Sequence, residues 1–170
     1  MSTTMPPARL EKGQELPTAV RFTTTAQLVR YAGAAHDFSG IHYDMEYAKE
    51  RGFPTVIVHG FLKAAFLSEL ACAWGGAGSW LKSFAVRYEG IDVVGTPIVC
   101  RGRVTEVMPG NDQVALELWT ERADGTRTTR ATGILQLGEH RGADDRAGAR
   151  RAGDHDDSGN DNHDHRETSD

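Results

Sequence analysis

Asp37 and His42 stand five positions apart in the stretch His36-Asp37-Phe38-Ser39-Gly40-Ile41-His42-Tyr43-Asp44. A carboxylate and an imidazole that grip one water can move protons in both directions near neutral pH. Five residues is the wrong interval for two side chains to meet on a helix, where neighbours are three or four apart. A turned loop is therefore required, and Gly40 permits one. The structural alternative is that Asp37 caps the next turn and His42 is a hydrogen-bonded loop histidine; spacing alone favours it. The run Val56-Ile57-Val58-His59-Gly60 offers a second candidate. It reads as a short apolar strand entering a helix at Gly60. Unsatisfied N–H groups at a helix start, with the helix dipole behind them, suit an oxyanion. Equally, a strand-to-helix turn needs a small residue. His59 either lines the same site or serves structurally, and the second use is the commoner.

Other chemistries find little support. His36, His42 and His59 match no zinc-ligand spacing, so no metal is expected. The tail histidines His155, His163 and His165 lie among aspartates and read as part of a solvated acidic segment. Ser39 lacks a nucleophile elbow, and neither a Walker loop nor a dinucleotide fingerprint is present.

The surrounding elements must place these residues. Thr24 or Thr25 caps a helix carrying Leu28, Val29, Tyr31 and Ala32 at helical spacing and ending near Ala35. Asp44 caps a shorter helix over 45–51, which Gly52 and Pro54 stop. From Gly60 onward, Phe61, Leu62, Ala65, Phe66, Leu67, Leu70, Ala71 and Trp74 give a helix apolar around most of its girth. Such a helix is expected to be surrounded by other structure. Four strands are expected after it: 80–88, 97–108, a third that alternates from Val114 and ends at Asp124-Gly125, and 126–137, with a short one before it at 19–22. Consecutive strands with short turns imply an antiparallel sheet, here curled round the apolar helix.

Composition sets the limits. Of 170 residues 39% are hydrophobic, and the deficit is local, because 139–170 contains no Val, Ile, Leu, Met, Phe, Trp, Tyr or Cys. That segment holds ten acidic residues and five arginines, which accounts for the entire formal charge of -5. It is expected to be a disordered acidic tail, since it has nothing to bury against its ordering entropy. The expected plan is a flexible leader over 1–17, one domain over 18–138 and the tail. A neutral body argues against nucleic-acid binding. Lys63, Ser68 and Glu69 interrupt the longest apolar stretch, so no membrane span is expected. Two cysteines, Cys72 and Cys100, in apolar or strand-like settings point to a cytoplasmic protein with reduced thiols.

Taken together, these segments resemble the MaoC-like (R)-specific enoyl-thioester hydratases. Tyr31-Ala32, then Asp37, then Ile41-His42-Tyr43-Asp44 follow the order of the family's hydratase motif, with Tyr47-Ala48 after it. Ile57-Val58-His59-Gly60-Phe61-Leu62 is similar to the opening of its central helix, and Arg87-Tyr88 with Gly95-Thr96 to its sheet. The likeness runs in order from about Leu16 to Leu137. It implies an α+β hot-dog fold, an antiparallel sheet wrapped around a central helix, with the active site formed where two such domains pair. By this resemblance Asp37 and His42 are the catalytic pair, and the N–H of Gly60 receives the thioester oxygen. Ser39, Gly40 and His59 line the pocket or support the pair. The implied reaction adds water reversibly to a trans-2-enoyl thioester, giving a (3R)-hydroxyacyl thioester. No cofactor is implied; CoA or a carrier protein arrives with the substrate. Departures are Ser39-Gly40 in place of Asn-Pro, His36 in place of Gly, and Ile91 where Pro is frequent. The segment 74–83 resembles small hydratase subunits that act on bulky enoyl-CoA esters in heteromers. The competing expectations are a non-catalytic or co-catalytic hot-dog subunit and a hot-dog thioesterase.

Overall fold

The central helix explains the architecture. α3 (Gly60–Gly75) buries Leu62, Lys63, Ala64, Phe66, Leu67, Leu70, Ala71 and Trp74. Only a narrow stripe at helical spacing, Phe61, Ala65, Glu69 and Ala73, faces outward. In the computed structural model, which describes residues 10–110 and 112–138, the other sides of this helix are covered by sheet. The tail expected at 139–170 lies outside the described residues.

The sheet consists of β1 (Ala19–Arg21), β2 (Trp80–Tyr88), β3 (Ile98–Val107), β4 (Gln113–Glu121) and β5 (Arg127–Gln136). Every pairing is antiparallel, in the order β1-β3-β4-β5-β2. Sequence neighbours β2 and β3 are thus not sheet neighbours. The connection between them leaves one edge of the sheet and returns near the other, carrying residues 89–97 past the start of α3. Register shifts at Leu81/Ser83, Val104/Glu106 and Thr120/Glu121 add local twist, which lets the sheet curl. Alternating inward residues, among them Ile98, Cys100, Val104, Val114, Leu116, Leu118 and Leu135, meet Leu67, Leu70 and Trp74 in one core. Each large aliphatic side chain buried this way contributes about 1.5–3 kcal/mol.

The smaller helices follow local signals. α1 (Thr25–Ala35) is capped by Thr24, whose side chain accepts from the N–H of Gln27. α2 (Met45–Glu50) is capped by Asp44, which accepts from the N–H groups of Glu46 and Tyr47. Two expectations need correcting. The segment 56–58 is no strand: Ile57 forms one isolated bridge, to Val93, and no ladder extends it. The leader, described from Leu10, does not run loose to Pro17: Leu16 is buried, and its N–H donates to the Gly102 carbonyl while Glu15 bridges Arg103. Gly13 and Gln14 also exchange backbone hydrogen bonds with Val104, and Leu10 packs against the core, so the segment is pinned along β3. No helix among the described residues is long and apolar enough to cross a membrane.

Candidate active site

The loop after α1 is shaped by its own short-range bonds. His36 ends α1 in the left-handed conformation, φ 53°, and the Asp37 N–H turns back to the Ala32 carbonyl at 3.0 Å. This conformation suits glycine and costs other residues about 1–2 kcal/mol. The Tyr43 hydroxyl then donates to the Phe38 carbonyl at 2.8 Å, closing the loop. Gly40 opens a 3-10 turn through His42, and a β-carbon on Gly40 would stand 2.8 Å from the Tyr47 ring. Glycine here admits the aromatic face of α2.

That turn delivers His42 against the segment before α3. Ile57 fixes it twice: its N–H donates to the Ile41 carbonyl at 3.0 Å, and its carbonyl accepts from His42 Nδ1 at 2.8 Å. A carbonyl can only accept, so Nδ1 carries a proton, and in the neutral tautomer Nε2 presents a lone pair. Nε2 faces Asp37 Oδ2 at 3.6 Å. In the neutral tautomer the two are both acceptors and cannot bond each other, but a water lying beside them can donate one hydrogen to each. Asp37 keeps 38% of its side-chain exposure while His42 keeps 8%, so one partner is open and the other fixed.

His59 completes the cluster. It is fully buried, stacks on His42 with ring centroids 3.7 Å apart and planes 19° apart, and meets the edge of Tyr31 at 5.1 Å. Neither ring nitrogen of His59 has a hydrogen-bond partner among the described residues. Burial, and then the His42 ring beside it, hold its pKa below the ordinary histidine value, although Asp37 pulls the other way. Tyr31 is pushed up, by burial first and Asp37 second. Ligand atoms of Asp37, His42 and His59 lie within 4.8 Å of one another. A ring nitrogen's lone pair lies in the ring plane, however, and two nearly parallel rings cannot aim at one ion. The stacking therefore works against a shared metal.

Gly60 begins α3 beside this cluster, and a β-carbon on it would stand 3.1 Å from the Tyr88 ring. The N–H groups of Leu62 and Lys63 return to the His59 carbonyl, whereas those of Gly60 and Phe61 reach no acceptor among the described residues. The helix start is thus free to receive an oxygen. The structure brings Asp37, His42, His59 and Gly60 together as expected. Gly40 shapes the loop, and Ser39 donates its N–H to Asp37 Oδ1 at a long 3.4 Å, with its side chain exposed. Tyr31 and Tyr88 were not singled out as site residues. Only their place in the motif order marked them, because aromatic rings carry no spacing signal of their own. A cleft of about 550 Å³ near Ile91, Val93 and Arg122 is lined by none of the four residues. Asp37 and His42 lie outside that cleft, with Asp37 the more open of the two.

Residues 8–129 match the family model described as the MaoC like domain. The chain belongs to the MaoC-like dehydratase family. This is a family of hydratases and dehydratases, and its fold is the hot-dog fold, with the sheet wrapped round α3. A 3-hydroxyacyl-thioester dehydratase, X, of Mycobacterium tuberculosis is 37% identical over 81 residues, 47% of this chain. The match spans only 29% of that relative's length. Among solved structures, an (R)-hydratase from A. caviae involved in PHA biosynthesis superposes with TM-score 0.72 at 22% identity. It covers 78% of this chain and 100% of its own. The ChsH1-ChsH2 complex of M. tuberculosis gives TM-score 0.70 at 20% identity over 76% of this MaoC-like chain and 100% of the chain matched.

Proposed function

We propose that this protein catalyses the reversible hydration of a trans-2-enoyl thioester to the (3R)-hydroxyacyl thioester, as part of lipid metabolism in the cytoplasm. One observation carries the reading: Ile57 locks the His42 tautomer so that Nε2 faces the Asp37 carboxylate 3.6 Å away. A water lying beside both acceptors donates one hydrogen to each. Hydroxide passes from that water to the β carbon, and a proton reaches the α carbon through the pair. The thioester oxygen rests on the Gly60 N–H at the dipole-positive end of a 16-residue helix, which stabilises the enolate formed in either direction. In reverse, the same groups remove water. CoA or a carrier protein brings the acyl group, and no further cofactor takes part.

A second hot-dog subunit completes the site, either a copy of this chain or a related partner. β2 is a terminal strand of the sheet, and Phe22, Phe38 and Phe61 are each more than 60% exposed, apolar side chains that a partner would cover. Incubation with crotonyl-CoA and with bulkier enoyl-CoA esters tests the reaction. Loss of enoyl absorbance without release of thiol is expected. Thiol release would indicate a thioesterase. Activity that appears only after mixing with another hot-dog protein would assign the chain to a heteromer.

A further inference from the structure

Lys63 interrupts an otherwise apolar stretch of α3, yet it is only 2% exposed. Its Nζ donates to Asp92 Oδ2 at 2.8 Å, to the Gly90 carbonyl at 2.8 Å and to the Thr128 carbonyl at 3.4 Å. Asp92, also 2% exposed, accepts from the Thr128 hydroxyl at 2.6 Å on the same oxygen, and Thr128 in turn bonds Thr120 at 2.9 Å. Arg122 faces the same segment and donates to the Ile91 carbonyl. Burial pulls the Lys63 pKa down, and Asp92 opposes that pull. Ion pairs of this kind are a weak source of stability, because apolar residues of similar volume often do as well. What they supply and apolar packing does not is direction.

The directions lead to the catalytic groups. The Asp92 carbonyl accepts from the Val58 N–H at 2.8 Å, the Val94 N–H donates to the Val56 carbonyl at 3.3 Å, and Ile57 bridges Val93. Residues 92–94 thus clip 56–58, whose Ile57 holds both the backbone and the ring of the His42 turn. At its other end the pair is rooted in the first turn of α3, three residues after Gly60. We propose that the buried Lys63–Asp92 pair is a positioning device that sets the Gly60 helix start and the His42 anchor at Ile57 in one fixed geometry. It touches no substrate; it acts through the Ile57 carbonyl on one side and the α3 backbone on the other. This role rests on the hydratase reading for its effect on rate, but not for its effect on the His42 ring.

The test combines proton–nitrogen NMR of the His42 Nδ1–H, identified by its loss in His42→Gln, with kcat and KM on an enoyl thioester. The variants are Lys63→Met/Asp92→Leu, which keeps an apolar core, Asp92→Asn, which keeps the shape, and Lys63→Arg, which keeps the charge. In the first two, each folded by circular dichroism, the Nδ1–H signal is expected to shift and exchange faster. Their kcat is expected to fall about 10–100-fold at nearly constant KM, as small misplacements of reacting groups do. Lys63→Arg should recover much of both. Asp92→Asn carries the test should the double variant fail to fold. A folded variant without the pair that keeps the parent signal and kcat would overturn the proposal. Should the parent protein hydrate nothing while the Nδ1–H still responds to the substitutions, the positioning role stands and the hydratase reading falls.

Discussion

Two buried polar clusters lie at opposite ends of the same few residues, and they are finished differently. Around Lys63, three acceptors receive the ammonium protons, and Asp92 Oδ2 accepts twice, while Oδ1 lacks a partner among the described residues. Around His42, one ring nitrogen is bonded, the other faces a second acceptor, and both nitrogens of the stacked His59 lack a partner among the described residues. An unmet buried polar group costs about 1–3 kcal/mol. A cluster that tolerates this cost has kept bonding capacity for something else, which the proposed reaction would use for water and substrate. The nearly saturated cluster leaves over only Asp92 Oδ1 among its described atoms, and its use is to hold its neighbours still.

The sharpest way to break this contrast is to disable the open cluster alone. Asp37→Asn and His42→Gln should each lower hydration about 100-fold to 10,000-fold, the range for general acid–base groups. Their melting temperatures should stay near that of the parent, and full activity in either purified variant would sink the assignment. The closed cluster should respond the other way round, in stability first. Lys63→Met alone strands Asp92 and should cost about 3–5 kcal/mol in urea unfolding, while Lys63→Met/Asp92→Leu should cost far less.

A smaller effect separates the clusters by pH. The His59 pKa is lower in the folded protein than in the unfolded chain, so the unfolded chain binds more protons as pH falls below about 6.5. Folding stability should therefore decline on acidification through that range. His59→Gln should flatten this part of the curve in thermal melts from pH 7.5 to 5.5, and an unchanged slope would remove His59 as its source. The smallest change concerns the loop: His36→Gly relieves the left-handed residue at the end of α1. A gain of about 0.5–1 kcal/mol is expected in chemical denaturation, and a loss would mean the His36 side chain contributes contacts of its own.

Local signals carried much of this molecule. Thr24 and Asp44 cap the helices they were expected to cap, and Gly60 and Gly75 bound the helix with the wide apolar surface. Strand positions followed from alternation, because side chains on a strand take opposite sides in turn. The order of Asp37, His42, His59 and Gly60 named the candidate site. Alternation does not identify strand partners, which is why β2 could be placed in sequence but not beside β5.

What the sequence determined by itself is the set of elements and the family, since caps, periodicity and motif order act over a few residues. Only the tertiary structure decided what those residues face. The 3.6 Å gap between Asp37 and His42, the ring of His59 against His42, and Lys63 turned inward to Asp92 join residues up to 29 positions apart. Such contacts arise where the chain folds back on itself, and nothing in the local spacing of Lys63 distinguishes a buried lysine with three acceptors from a solvated one.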